Sequence, residues 1–355
     1  TGKILASGGA DHTAILWARA GDTFRHRATL RGHTGEIHAL AFTKDDKRLI
    51  TTGWRNRQTQ LADGTVRAWD VATGAQVDLF SGPIANSGIN TLAIHPRGES
   101  LVVGRENGSL VQLDPRNLAQ VAPLALPVNP QQGPVEHVSF SPDGSKLAVS
   151  LISNRANMAE PKTLACDVEI RAFPGGALTH RHAGIPGLVY ITAFSPEGGR
   201  LAYAGGHSQS IFIRNLQDLE NPPTELKGQG TTIMTVGFTA DSQTVGFTRP
   251  TTPPALGEAA GPIEGFDLQN RAYRPVRQEE VQGPIVQHNG WSLRASLNPY
   301  RLDAVNVDGR SWTVSLYQAR EVNWWSYAII PGNPNAERGH QQGVVAVGSE
   351  TGIAL

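Results

Sequence analysis

With one cysteine in 355 residues, Cys166 has no partner within the chain. That excludes an internal disulfide framework and any site built from several thiolates, and it fits a reducing compartment. Charge is scarce and even, 17% of residues, with 31 basic side chains against 31 acidic ones. A chain this neutral has no electrostatic footprint for a phosphate backbone, so no nucleic-acid partner is expected. No apolar run approaches the roughly 18–20 residues needed to cross a bilayer, which argues against membrane insertion. No charged n-region followed by an apolar h-region opens the chain, so no signal peptide is expected and the cytoplasm is the expected compartment. No initiator Met precedes Thr1, and the chain reads as a fragment of a longer protein or a product of processing.

What is abundant is turn material, Gly 39 and Pro 23, as expected of many short strands. The best-formed stretch runs from Gly32-His33 through two alternating strands and closes on Asp63-Gly64-Thr65-Val66-Arg67-Ala68-Trp69-Asp70. Weaker copies follow. An apolar strand ending in a polar hairpin turn recurs with its last apolar residue at Phe42, Ile94, Phe140, Phe194 and Phe238, and each copy is followed at once by a second strand. Asp and Gly in such turns supply hairpin geometry, and the flanking apolar residues fill an interface between neighbouring sheets. A period of about 40–50 residues with a Gly-His…Trp-Asp frame predicts an all-β propeller of four-stranded antiparallel blades, seven in number with eight as the alternative. The first unit, strands at 3–8, 13–17 and 27–30, lacks its innermost strand, which lies upstream or comes from elsewhere. Leu297-Asn298-Pro299 and Ile330-Pro331-Gly332-Asn333 continue the series, and a partial blade is expected at each end of one domain spanning 1–355.

On these residues the chain resembles the WD-repeat β-propellers. The resemblance implies blades with strands a to d from the centre outwards. It also implies a network of a Gly-His histidine, a strand-b hydroxyl, a turn aspartate and a strand-c tryptophan. His33, Thr51, Asp63 and Trp69 match all four positions, and Ser7, Asp11 and Trp17 match three in the first unit. Elsewhere the pattern drifts: Val103, Asn107 and Leu113-Asp114 stand there in the third unit, Arg214-Asn215 in the fifth and Phe266-Asp267 in the sixth. Buried polar groups need partners, so these residues are expected to be structural.

In such a propeller the residues flanking the first inward residue of strand a sit on the rim of the central channel. Counting back from the strand ends gives Ile37, Ile89, Val135, Val189 and Ile233 as inward residues. Glu36 and His38, Gly88 and Asn90, Pro134 and Glu136, Leu188 and Tyr190, and Thr232 and Met234 flank them. Three long insertions, 54–62, 151–165 and 249–261, all fall between strands b and c and so emerge at that same end; long loops in compact folds are often functional. Trp54 with Arg55 and Arg57 is hot-spot chemistry if exposed. The set is mixed and mildly acidic, which suits a protein or peptide partner.

Catalytic signals are weak. His180 and His182 form an H-x-H pair, but they lie where an outer strand meets the next blade and a structural role is expected. The Gly-Gly pairs lack a phosphate-loop Lys-Ser/Thr. Ser141 and Ser195 sit in Phe-Ser-Pro turns without a nucleophile elbow. Trp312, Trp324 and Trp325 are expected to pack between blades. No catalytic residue, metal or cofactor is expected. The function expected is a non-catalytic interaction, scaffold or sensor module binding a protein or peptide on the b–c and d–a loop face. The alternatives are a hydrolytic or metal-assisted enzyme at the channel mouth, or a sensor linked to further domains such as a peptidase.

Overall fold

The computed structural model describes residues 4–20, 23–56, 58–81, 87–121, 133–153, 164–205, 210–227, 233, 235–248, 263–276, 281–282, 291–297, 300–306, 311–315, 327–330 and 344–349. Side chains are described as far as Arg274. Every regular element among them is a strand.

The first sheet holds β1 (Ile4–Gly9), β2 (Thr13–Ala20) and β3 (Thr23–Arg31). The second holds β4 (Ile37–Phe42), β5 (Arg48–Gly53), β6 (Thr65–Asp70) and β7 (Gln76–Ser81). The third has three strands, β8 (Ile89–Ile94), β9 (Leu101–Arg105) and β10 (Leu110–Leu113); a single Leu113–Gln120 bridge stands where the outer strand would run. The fourth is β11 (Val135–Phe140), β12 (Lys146–Ile152), β13 (Ala165–Ala172) and β14 (Leu178–Pro186). The fifth is β15 (Val189–Phe194), β16 (Arg200–Gly205), β17 (Ile211–Asn215) and β18 (Thr224–Leu226). The sixth is β19 (Thr235–Thr239), β20 (Thr244–Thr248), β21 (Ile263–Asp267) and β22 (Ala272–Val276), with the short β23 (Val281–Gln282) beside β19. The seventh is β24 (Trp291–Leu297), β25 (Tyr300–Asn306) and β26 (Ser311–Ser315).

Two strands remain, β27 (Tyr327–Ile330) and β28 (Val344–Ser349), and both join the first sheet, in the order β27-β28-β1-β2-β3. The strand missing from the inner side of β1 thus comes from the far end of the chain, pairing parallel through Ala6↔Ala346. The first strands form an inner ring: β27 packs on β4, β4 on β8, β8 on β11, β11 on β15 and β15 on β19. Seven sheets among the described residues, six of them linked through these inner strands, make an all-β propeller.

The recurring turn has one physical construction. Its hydroxyl accepts a hydrogen bond from the backbone N–H five residues on: Arg48 to Thr43 (3.1 Å), Lys146 to Ser141 (2.9 Å), Arg200 to Ser195 (2.8 Å) and Thr244 to Thr239 (3.0 Å). The same hydroxyl donates to Asp45, Asp143 or Asp241 at 2.6–2.7 Å. The residue after that aspartate adopts a left-handed φ, 76° at Gly144, 60° at Asp46 and 59° at Ser242, which is why glycine is frequent there.

Apolar residues of strands a, b and c close the gaps between sheets. Ile50, Val66 and Ala68 of the second sheet pack on Ile89, Leu101 and Val103 of the third. Gly104 leaves room for the next blade: a Cβ there would stand 2.5 Å from Val135 Cγ1.

Candidate functional site

In the second sheet the Trp69 indole N–H donates to Thr51 Oγ1 (2.8 Å), and Thr51 Oγ1 lies 2.8 Å from His33 Nε2. His33 Nδ1 lies 3.0 Å from Asp63 Oδ2. Donor arithmetic then sets the tautomer: Thr51 donates to Nε2, and Nδ1–H donates to the carboxylate. Burial pushes the His33 pKa down despite Asp63, so the ring is neutral. Asp63 also accepts from the Thr34, Gly35 and Thr65 amides, and its pKa falls far below the usual carboxylate range because these bonds outweigh the effect of burial. In the first sheet Trp17 donates to Ser7 Oγ (2.9 Å) and Asp11 accepts from the Thr13 amide and hydroxyl. These seven residues brace blades.

The ring positions behave differently. In four consecutive blades the innermost strand carries a β-bulge at its start, with register breaks at Ile37/Ala39, Ile89/Thr91, Val135/His137 and Val189/Ile191. The residue left without a cross-strand partner is His38, Asn90, Glu136 or Tyr190. A bulge adds a residue that the ladder does not use and re-aims its side chain. All four therefore stand at the same end of the inner ring, while Ile37, Ile89, Val135 and Val189 are buried beneath them.

The insertion after β5 folds onto this end. Trp54 N–H donates to Glu36 O (2.8 Å) and Glu36 N–H to Arg55 O (3.1 Å). An Arg55–Ala62 bridge then makes the insertion a small hairpin. The Trp54 ring stacks on His38, centroids 4.3 Å apart and 18° from parallel. Arg55 reaches the third blade, where its Nε donates to Glu106 Oε1 (2.7 Å) and Gly88 N–H donates to Glu106 Oε2 (2.9 Å). His38 Nε2 lies 3.9 Å from Glu36 Oε2. Trp54 and Arg55 are thus half-buried and braced rather than freely exposed, and Glu36 and His38 are buried. Gln58, Thr59, Gln60 and Leu61 are exposed, and Leu61, 64% accessible on the returning arm, is the large apolar residue among them, which the sequence did not single out.

Beyond Asn90 the rim continues through Glu136 and Tyr190. Asn90 Nδ2 donates to Val135 O (3.1 Å). The Glu136 carboxyl is pushed up to about 7, first by burial and then by Glu106. The Tyr190 phenol is raised by burial and then by Glu136. Just below, His137 Nδ1 and Ser139 Oγ lie 3.0 and 2.7 Å from Thr192 Oγ1 on the neighbouring inner strand.

Arg57, Met234, Trp324, Trp325 and the 249–261 insertion lie outside the described residues, as does most of 151–165. Leu151 and Ile152 belong to β12 and Ala165 to β13, so that insertion is shorter than the sequence suggested. His182 bonds Tyr203 Oη at 2.7 Å, a bond between blades. Among the described residues no group of three His, Cys, Asp or Glu is placed to hold a metal, and no helix is long and apolar enough to cross a membrane.

The family model "WD domain, G-beta repeat" matches residues 24–70, the stretch with the complete network. A guanine nucleotide-binding protein subunit beta of Nicotiana tabacum is 29% identical over 148 residues, 41% of this chain and 37% of that protein. The WD repeat-containing protein 26 homolog of Arabidopsis thaliana is 30% identical over 118 residues, 32% of this chain and 18% of that one. The matches thus span well under half of these curated relatives. Among solved structures, the Cps50 (Swd1) β-propeller domain of Myceliophteria thermophila superposes with a TM-score of 0.55 at 14% identity, covering 88% of this chain and 94% of that domain. The sheets of the described residues, the His-Thr-Asp-Trp network and these likenesses agree: the chain is an all-β propeller that carries a WD repeat at residues 24–70.

Proposed function

We propose that this chain is a non-catalytic interaction module that holds a protein or peptide partner on the face bearing the b–c and d–a loops. The observation that carries this reading is the 54–62 hairpin. It lies along the inner rim through Trp54 and His38, bridges to the next blade through Arg55 and Glu106, and lifts Leu61 into solvent. An exposed leucine beside a braced aromatic and a ring of mixed polar groups is the make-up of a protein interface, with its anchors held before the partner arrives. The subunit beta to which the chain is similar is, by its name, one component of an assembly, which supports an assembly role here.

The test is co-purification of the tagged chain beside its Leu61→Ala and Trp54→Ala variants. A Val77→Ser variant on the outer strand β7, where Val77 is exposed, serves as control. We expect partners held by the wild type and the control to be lost from the two rim variants while all four proteins stay folded. Retention of every partner by both rim variants would refute this placement.

A further inference from the structure

Resting on that reading, we infer that the rim between the third and fifth blades receives a basic side chain, arginine or lysine, from the partner segment. Two oxygen acceptors on neighbouring inner strands stand there without donors among the described residues. The Glu136 side chain makes no hydrogen bond and no ion pair among the described residues. Asn90, at the same bulge one blade earlier, spends its N–H on Val135 O, which fixes its amide; its Oδ1 is buried and unpaired. Buried acceptors of this kind carry a desolvation cost until a donor reaches them.

The charge balance points the same way. Arg55 is committed to Glu106, Glu106 also holds the Gly88 amide, and among the described residues the charge acting on Glu136 is that of Glu106. Glu106 stays close enough to repel it. A guanidinium or ammonium offers several donors and a full positive charge, with no acceptor to clash with these oxygens. Tyr190, on the other side of Glu136, supplies a ring against which a cation or its apolar stem can pack. An acidic or phosphorylated segment would meet repulsion at the same place.

The test is calorimetry at pH 8 with the intact chain and acetylated, amidated Ala-Ala-X-Ala-Ala peptides, X being arginine, lysine or citrulline. Citrulline keeps the shape of arginine and removes its charge, so the comparison needs no variant. We expect the wild type to prefer at least one basic peptide over citrulline by roughly tenfold. Glu136→Gln should bring that preference to within about twofold, as should lowering the pH to 5 in the wild type. Equal binding of all three peptides, no binding of the basic peptides at millimolar concentration, or a preference that survives Glu136→Gln would each overturn the inference. A chain that still loses its partners on Leu61→Ala yet shows no basic preference keeps the interaction reading and loses this one.

Discussion

His182 Nδ1 lies 2.7 Å from the Tyr203 hydroxyl, and Tyr203 occupies in the fifth sheet the strand position that Thr51 occupies in the second. Arg214 stands opposite Leu201 as Trp69 stands opposite Leu49, and its guanidinium faces the Tyr203 hydroxyl. The fifth blade thus keeps a hydroxyl–histidine bond in different residues. Tyr203 donates to a histidine whose pKa burial and then Arg214 push down, while Arg214 Nη1 donates to the Leu219 and Asn221 carbonyls.

Tyr203→Phe tests whether that bond stabilises the fold. Phenylalanine fills the space, and Phe247 holds the corresponding place in the sixth sheet. What changes is that His182 Nδ1 loses its partner inside the protein. We expect a loss of about 1–3 kcal/mol in urea unfolding, and we expect His182→Phe combined with Tyr203→Phe to cost less than the sum of the two singles. Strict additivity would show that the two groups do not interact.

Asp63→Asn probes the complete network and its pH dependence. The folded pKa of Asp63 is lowered, so its ionised form contributes stability that is full above the unfolded value near 3.8 and is lost as pH falls below it. The destabilisation by Asn, about 2 kcal/mol, should therefore stay constant from pH 7 to pH 5 and shrink only below about pH 4. Shrinkage already between pH 7 and pH 6 would assign the effect to protonation of His33 instead.

The sequence made the architecture readable because the turn chemistry is local. A hydroxyl, an aspartate and a left-handed residue at fixed offsets mark each hairpin whatever the blade packs against. Counting back from those turns also reached His38, Asn90, Glu136 and Tyr190. The bulge that frees them was invisible, since a two-residue alternation carries no mark of an extra residue. Glu106 was missed because nothing beside it in sequence shows that Arg55, fifty-one residues away, will reach it. The His182–Tyr203 bond was hidden for a related reason: its position in the blade persists while its letters change.

Glu136→Gln should be stabilising, with a definite pH signature. The folded pKa of Glu136 is raised to about 7 from 4.5, so the wild type has its full stability below 4.5 and loses some as pH rises through 7. Glu106, Tyr190 and Cys166 are the titratable groups facing this carboxyl, and none supplies a positive charge. The adjacent His137, lowered to about 4 by burial, has the opposite sign, since acidification below 6.5 destabilises the fold through it. A wild-type pH profile mixes the two, and the variant separates them. We expect the glutamine chain to be more stable by about 2 kcal/mol at pH 8 and equal to wild type at pH 4.5. A gain of the same size at both pH values would show that the carboxylate charge is not its cause.

Gly88→Ala isolates the rim from the rest of the fold. Gly88 lies beside both the stacked tryptophan and the Glu106 carboxylate, and a Cβ there would stand 2.7 Å from Trp54 Cδ1 and 3.1 Å from Glu106 Cδ. Both neighbours are side chains, so the backbone can stay in place while the Trp54 ring slides off His38 or Glu106 swings away from Arg55. The inner ladders and the His33 network lie beneath this layer and should keep their geometry. We therefore expect Gly88→Ala to shift Tm by only a few degrees, corresponding to about 1 kcal/mol, while changing Trp54 fluorescence, read as the difference from a Trp54→Phe background. Partner affinity should fall by about tenfold or more, as it does when a pre-organised anchor is displaced. Unaltered affinity together with an altered Trp54 signal would mean that the stacked ring is not part of the docking surface.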